Sequence, residues 1–200
     1  FIYAYYNIKI YTKNFLNFFK SYFTRLDSSL ISLLNHNNNI YLKSHNVISD
    51  EIILCDVFTE KDWLFVNQIG LNFFSKKWNS KIVSYGYSKR TFKENAIYKS
   101  FGCEDHHEII ITRKTQIKEL KKLYSQARLA IRTKEDLLSY KLDNVHLGRD
   151  IYESIIRTGL PTITIGDFIT WEYIYKGISF YVFFNDFFKK NKVKALFLSL

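Results

Sequence analysis

In Asn144-Val145-His146-Leu147-Gly148-Arg149-Asp150-Ile151-Tyr152 an imidazole, a glycine, a guanidinium, a carboxylate and a phenol fall within one short run. A short apolar stretch meets a glycine there. A helix then opens, with Ile151, Ile155 and Ile156 on one face. Glycine at such a turn lets backbone N–H groups approach a ligand, and the positive end of the helix favours an anion. Arg149 adds a side chain suited to phosphate, and Asp150 a carboxylate suited to acid–base work or to an acceptor hydroxyl. His146, Gly148, Arg149 and Tyr152 are therefore candidate substrate-binding residues, and Asp150 is a candidate catalytic one. The alternative is that Gly148 only makes the turn and Arg149 lies solvated on a helix end.

Further candidates follow short apolar runs. Asp56, with Thr59, closes Glu51–Val57 and is a second candidate catalytic carboxylate, or else caps the next helix. Gly86 in Tyr85-Gly86-Tyr87-Ser88, and Asp167 after Gly166, are candidate substrate-binding residues. Their alternatives are a plain turn and a helix N-cap. Glu104, Asp105, His106 and His107 resemble a metal cluster, but adjacent histidines in a turn more often bind nothing, so no metal is expected. No Walker loop, GxSxG elbow, HExxH or GxGxxG is present to fix an enzyme class.

The elements that must position these groups alternate. Strands are predicted at 51–57, 81–86, 108–111, around Val145, at 162–165 and at 193–198. Helices are predicted at 61–77, 91–101, 115–126, 134–140, from Asp150, and at 167–188. In the first long helix Trp63, Leu64, Val66, Ile69, Phe73 and Phe74 form the expected apolar stripe. Such alternation predicts an α/β fold: an open, mainly parallel Rossmann-like sheet with helices on both faces. Right-handed crossovers then gather the loops after the strands along one edge, where α/β folds bind ligands.

Residues 1–48 read as a helical aromatic and basic extension and linker before a Rossmann-like domain at 49–200. Phe15, Phe18, Phe19, Tyr22 and Phe23 form its apolar face, interspersed with Lys13, Lys20 and Arg25. That face either lies on a membrane surface or packs on the protein. Asn35-His36-Asn37-Asn38-Asn39 reads as a polar break. The chain holds no Met, starts at Phe1, and ends in the strand-like Lys194–Leu200, which reads as a longer protein cut at its next unit.

With 47% hydrophobic residues there is enough apolar material for a packed core, and 24% charged residues argue against compositional disorder. The net charge of +10 favours anionic partners. Basic residues come in scattered pairs such as Lys76-Lys77, Lys121-Lys122 and Lys189-Lys190, without a nucleic-acid-binding signature, so nucleic acid is not expected. Cys55 and Cys103 sit in or beside apolar segments, which suits reduced thiols in a cytoplasmic protein. No apolar run is long enough to span a bilayer.

Lys81-Ile82-Val83 through Phe101-Gly102, Glu135–Leu138, and Leu147–Arg157 resemble bacterial surface-carbohydrate and capsular-polysaccharide biosynthesis proteins. In those the last segment reads like IGDLIYDSYLR and a Pro-Thr pair follows, as Pro161-Thr162 does here. Gly148, Ile151, Tyr152, Ser154 and Arg157 match, and Glu153 keeps the acid. Arg149 stands where the family has Asp, and Asp150 stands one place later. The resemblance covers roughly residues 50–200. It implies the N-terminal, acceptor-side half of a two-domain, GT-B-like glycosyltransferase acting on a nucleotide-sugar donor and a glycan or lipid-linked acceptor. It implies no further cofactor, and peripheral contact with the inner membrane. The other reading is a non-catalytic α/β binding module that docks on a membrane or assembly partner.

Overall fold

A computed structural model describes residues 5, 12, 15, 16, 26–42, 47, 49–57, 61–103, 105–159 and 162–198. The chain divides into two compact units: 10–109 with 188–200, and 1–9 with 110–187. The first carries the sheet and the second is helical.

In the sheet unit α1 (Ser28–Asn37) is started by Asp27, whose carboxylate accepts from the Leu30 amide. A short π-helical turn (Asn38–Leu42) follows directly. The asparagine-rich run is thus helical rather than a break. Asn37 is buried, and its amide donates to Ser100 Oγ at 3.1 Å, so the polar side chain is spent inside the fold. Of the expected apolar face at 15–23, Phe15 is helical and exposed, while Phe18, Phe19, Tyr22 and Phe23 lie outside the described residues.

The strands are β1 (Ile52–Asp56), β2 (Lys81–Gly86), β3 (Asp105–Glu108) and β4 (Val193–Phe197). All pairings are parallel and the order is β3-β2-β1-β4. The protein is therefore α/β with an open, all-parallel sheet and a helical N-terminal part. Ile52, Ile53, Leu54 and Cys55 are all buried, so β1 is covered on both faces, which is why it reads as a continuous apolar run. Helices α2 (Lys61–Trp78) and α3 (Phe92–Ser100) are the crossovers to β2 and β3. They pack on the face carrying Ile53, Cys55 and Ile82, with Leu64, Leu71, Tyr98 and Cys103 completing that core. Phe74 stacks on Trp78 at 4.8 Å and meets Phe197 of β4 at 5.5 Å. A capping box starts α3, with Thr91 and Glu94 each accepting the other's backbone N–H.

Helix α2 has the expected period, and Leu64 and Phe74 of the expected stripe face the core, while the Trp63 side chain lies outside the described residues. Leu64, Gln68, Leu71, Asn72 and Ser75 are buried, whereas Val66, Ile69 and Phe73 point outward at 65%, 49% and 62% exposure. The inward polar groups have specific tasks. Asn72 donates to the Phe101 carbonyl at 2.9 Å, and Ser75 Oγ donates to the Ser80 carbonyl at 2.5 Å.

Three predicted strands change. The third lies at 105–108, not 108–111. It is an edge strand exposed on alternate residues, so its sequence is polar, and only the Ile109 amide continues toward Gly86 O at 2.8 Å. Around Val145 there is one antiparallel bridge to Leu142, tightened by Asp143 at φ 50°. Residues 162–165 form no strand. The Thr164 carbonyl instead accepts from Thr170 Oγ1 at 2.9 Å and the Asp167 amide at 3.0 Å, fastening the start of the last helix.

The helical unit contains α4 (Lys114–Ala130), α5 (Lys134–Ser139), α6 (Leu147–Ile156) and α7 (Phe168–Lys190), whose last residues belong to the sheet unit. Arg113 and Gln116 donate to Asp186 at 2.8 and 3.0 Å. At the other end of α4, Tyr124 meets Trp171 and Tyr175 edge-on, and Arg128 lies over Trp171. These contacts set α4 and α7 antiparallel. Helix α6 presses on α7 at Gly177, where an added Cβ would stand 2.7 Å from Ile151 Cγ1. Among the described residues no helix is long and apolar enough to cross a membrane.

Candidate functional site: the carboxyl edge of the sheet

The β1–β2 register pairs Asp56 with Tyr85, so Asp56 and Gly86 end neighbouring strands at the same edge. The Asp56 carboxylate accepts from the next amide, Val57 N, at 2.8 Å, and is half-buried. Gly86 fits tightly: a Cβ there would lie 3.3 Å from Val57 and 3.5 Å from His106. Tyr85 is buried on the opposite face. Burial, then the nearby Asp56 charge, pushes its phenol far above the ordinary tyrosine range, so it stays neutral. Thr59 lies outside the described residues.

Beneath this edge is a polar nest that sequence reading missed. His106 Nε2 meets the Ser88 carbonyl at 2.9 Å, and Nδ1 meets Ser84 Oγ at 2.9 Å. A carbonyl only accepts, so Nε2 carries the proton and Nδ1 accepts from the serine. Burial holds the imidazole below its usual pKa despite the Ser88 bond, and the Arg90 charge adds to this. Arg90 donates to the Cys103 carbonyl at 3.0 Å, lies 3.7 Å from Cys103 Sγ and covers the Tyr98 ring. Cys55 and Cys103 are fully buried. The neighbouring Cys103 thiol and burial raise the Cys55 thiol. Burial also raises Cys103, but the neighbouring Cys55 thiol and the Arg90 guanidinium outweigh it and bring Cys103 below the ordinary thiol value. Gln68, wholly buried, points its amide into the same region. Cys55 and Cys103 are 48 positions apart, and Arg90 looks like one more surface cation in a basic chain.

The histidine pair does not converge. Neighbours on a strand point to opposite faces, so His106 turns inward to Ser84 and His107 turns away. Glu104 is outside the described residues. Among the described residues no group of three His, Cys, Asp or Glu side chains is placed to hold a metal.

The remaining candidates lie in the helical unit. His146 precedes α6 without a side-chain cap bond. Gly148 packs: its amide donates to the Tyr140 carbonyl at 3.0 Å, and an added Cβ would stand 1.7 Å from the Leu137 carbonyl oxygen. The Leu147 amide also donates within the chain, to Val145 O at 2.9 Å. Two N–H groups at this helix start are thus already used. Arg149 and Asp150 are exposed, and Lys134 stands over the half-buried Tyr152 ring at 4.9 Å. Asp167 is exposed before α7, and its carbonyl accepts from the Trp171 amide at 3.3 Å. The candidates therefore form two groups: Asp56 with Gly86 in the sheet unit, and His146, Gly148, Arg149, Asp150, Tyr152 and Asp167 in the helical unit.

Compared with protein-family models, curated proteins and solved structures, the chain finds no match.

Proposed function

We propose that this chain takes part in surface-polysaccharide assembly, as the acceptor-side part of an enzyme that moves a sugar from a nucleotide donor to a glycan or lipid-linked acceptor. The observation that carries the reading is the strand order. The chain steps outward from β1 through β2 to β3, then returns to β4 on the other side of β1. Open parallel sheets bind ligands outside the carboxyl ends of strands where the order reverses in this way. Asp56 ends β1 at that reversal. The resemblance of Leu147–Arg157 to polysaccharide-biosynthesis proteins supplies the reaction class.

In this reading Asp56 is the base. It takes the proton of the acceptor hydroxyl as that oxygen bonds to the anomeric carbon, and the nucleotide leaves with the electron pair of the broken bond. Cationic side chains and helix N-termini offset the charge on the departing phosphate.

The test is a thermal-shift screen of the full-length protein against the UDP, GDP and CMP series and their sugars, followed by transfer of labelled sugar. A ligand that binds only the folded state raises the melting temperature with its occupancy. One nucleotide class is expected to shift the transition. Asp56→Asn is expected to keep that shift and lose turnover. No shift with any member at millimolar concentration rejects the transferase reading in favour of a non-catalytic binding module.

A further inference from the structure

We infer that one face of α4, with the adjoining start of α7, is a docking surface for an anionic lipid bilayer. At about 3.6 residues per turn, Lys114, Lys118, Lys121, Lys122 and Arg128 fall within about 120° of the circumference. All five are exposed. Gln116, Leu120 and Ala127 are buried on the opposite side. The helix has one acidic residue, Glu119, which the same spacing sets outside the basic sector. Over the helix's 17 residues the basic face is about 25 Å long.

Apolar exposure identifies the anion as a bilayer. Leu129 lies within the basic sector and is 72% exposed. Because α4 and α7 run antiparallel, with Arg128 over Trp171, the first turn of α7 lies beside this end of α4. There Phe168 and Ile169 are 41% and 44% exposed. Cations beside projecting aliphatic and aromatic groups match a headgroup layer above acyl chains. Single-stranded nucleic acid binds on basic grooves with aromatic stacking platforms, whereas two of the three projecting groups here, Leu129 and Ile169, are aliphatic. The inference stands whether or not the chain transfers sugars.

The experiment is co-sedimentation of the whole chain with phosphatidylcholine vesicles, with and without about one-third phosphatidylglycerol, at low and high salt. Binding is expected only to the anionic vesicles and to weaken as salt rises. Each Lys or Arg near an anionic surface strengthens partitioning about fivefold, so Lys118→Gln/Lys121→Gln/Lys122→Gln is expected to weaken it about a hundredfold. The matched control, Lys77→Gln/Lys81→Gln/Lys99→Gln, removes the same charge from exposed sites in the sheet unit and is expected to change binding less than threefold. Leu129→Ser is expected to lower binding at high salt, where charge contributes least. Circular dichroism confirms that each variant is folded. Equal losses in the two triple variants would mean that net charge alone binds and would overturn the assignment. So would absence of binding at low salt, or tighter binding to a DNA duplex than to the vesicles.

Discussion

Gly148→Ala separates a packing glycine from a ligand-binding one. The new methyl carbon would start 1.7 Å from the Leu137 carbonyl oxygen and 3.1 Å from Tyr140 Cβ. The nearer obstacle is backbone, so no rotamer change relieves it and α5 must move off α6. Overpacking of this kind costs about 2–3 kcal/mol. Parting the helices also stretches the Gly148 N–Tyr140 O bond, worth about 1 kcal/mol. Alanine returns about 1 kcal/mol through its helix propensity. The net destabilisation is about 2–3 kcal/mol, equivalent to a melting temperature about 4–12 °C lower in a chain of this size. Thermal unfolding followed by circular dichroism reads it, with Gly166→Ala as control. Gly166 has open space at its Cβ position and lies in the same unit, so its alanine variant is expected to stay within about 1 kcal/mol of the parent. A Gly148→Ala protein melting within about 2 °C of the parent refutes the packing role.

Leu71, fully buried between α2 and the sheet, is expected to cost about 2–5 kcal/mol when cut to alanine, read as a lower denaturant midpoint at unchanged slope. His106 sets a pH dependence. Its folded pKa lies below the unfolded value of about 6.5, so the unfolded chain binds the extra proton; stability is full above that pH and declines as pH falls through the folded value. Urea midpoints at pH 7.5, 6.5 and 5.5 should drop on acidification, less steeply in His106→Gln; parallel profiles would show that this imidazole is not responsible. Cys55 and Cys103 are each 0% exposed, so a thiol-specific dye should label both only as fast as the sheet unit opens, with guanidinium removing the lag. Immediate labelling of the native protein contradicts their burial.

Much of the fold is legible in the amino-acid order, and the exceptions share a cause. β1 and β2 are apolar runs because both are buried, and α7 announces itself by length and aromatic spacing. β3 is an edge strand of Asp-His-His-Glu, which no hydrophobic criterion selects, while the apolar Ile109–Ile111 lies past its end and only the Ile109 amide still bonds to β2. α2 has helical period but buries polar residues, because backbone carbonyls await Asn72 and Ser75 there. Asp56 and Gly86 were visible as strand ends. The Arg90–Cys103 contact and the serine–histidine pair were not, because tertiary folding alone makes them neighbours.

The last strand has a consequence for how the chain acquires its fold. Val193 pairs with Ile52 across about 140 positions, with residues 110–187 of the helical unit between them in sequence. During synthesis β1 can pair with β2 as soon as both have emerged, but its other edge stays open until β4 is made. Contacts of such separation close late and slowly. A half-built parallel sheet with an apolar open edge invites pairing with another nascent chain. The nascent protein is therefore expected to be most prone to aggregation while ribosomes translate 110–190, and least so once β4 has docked.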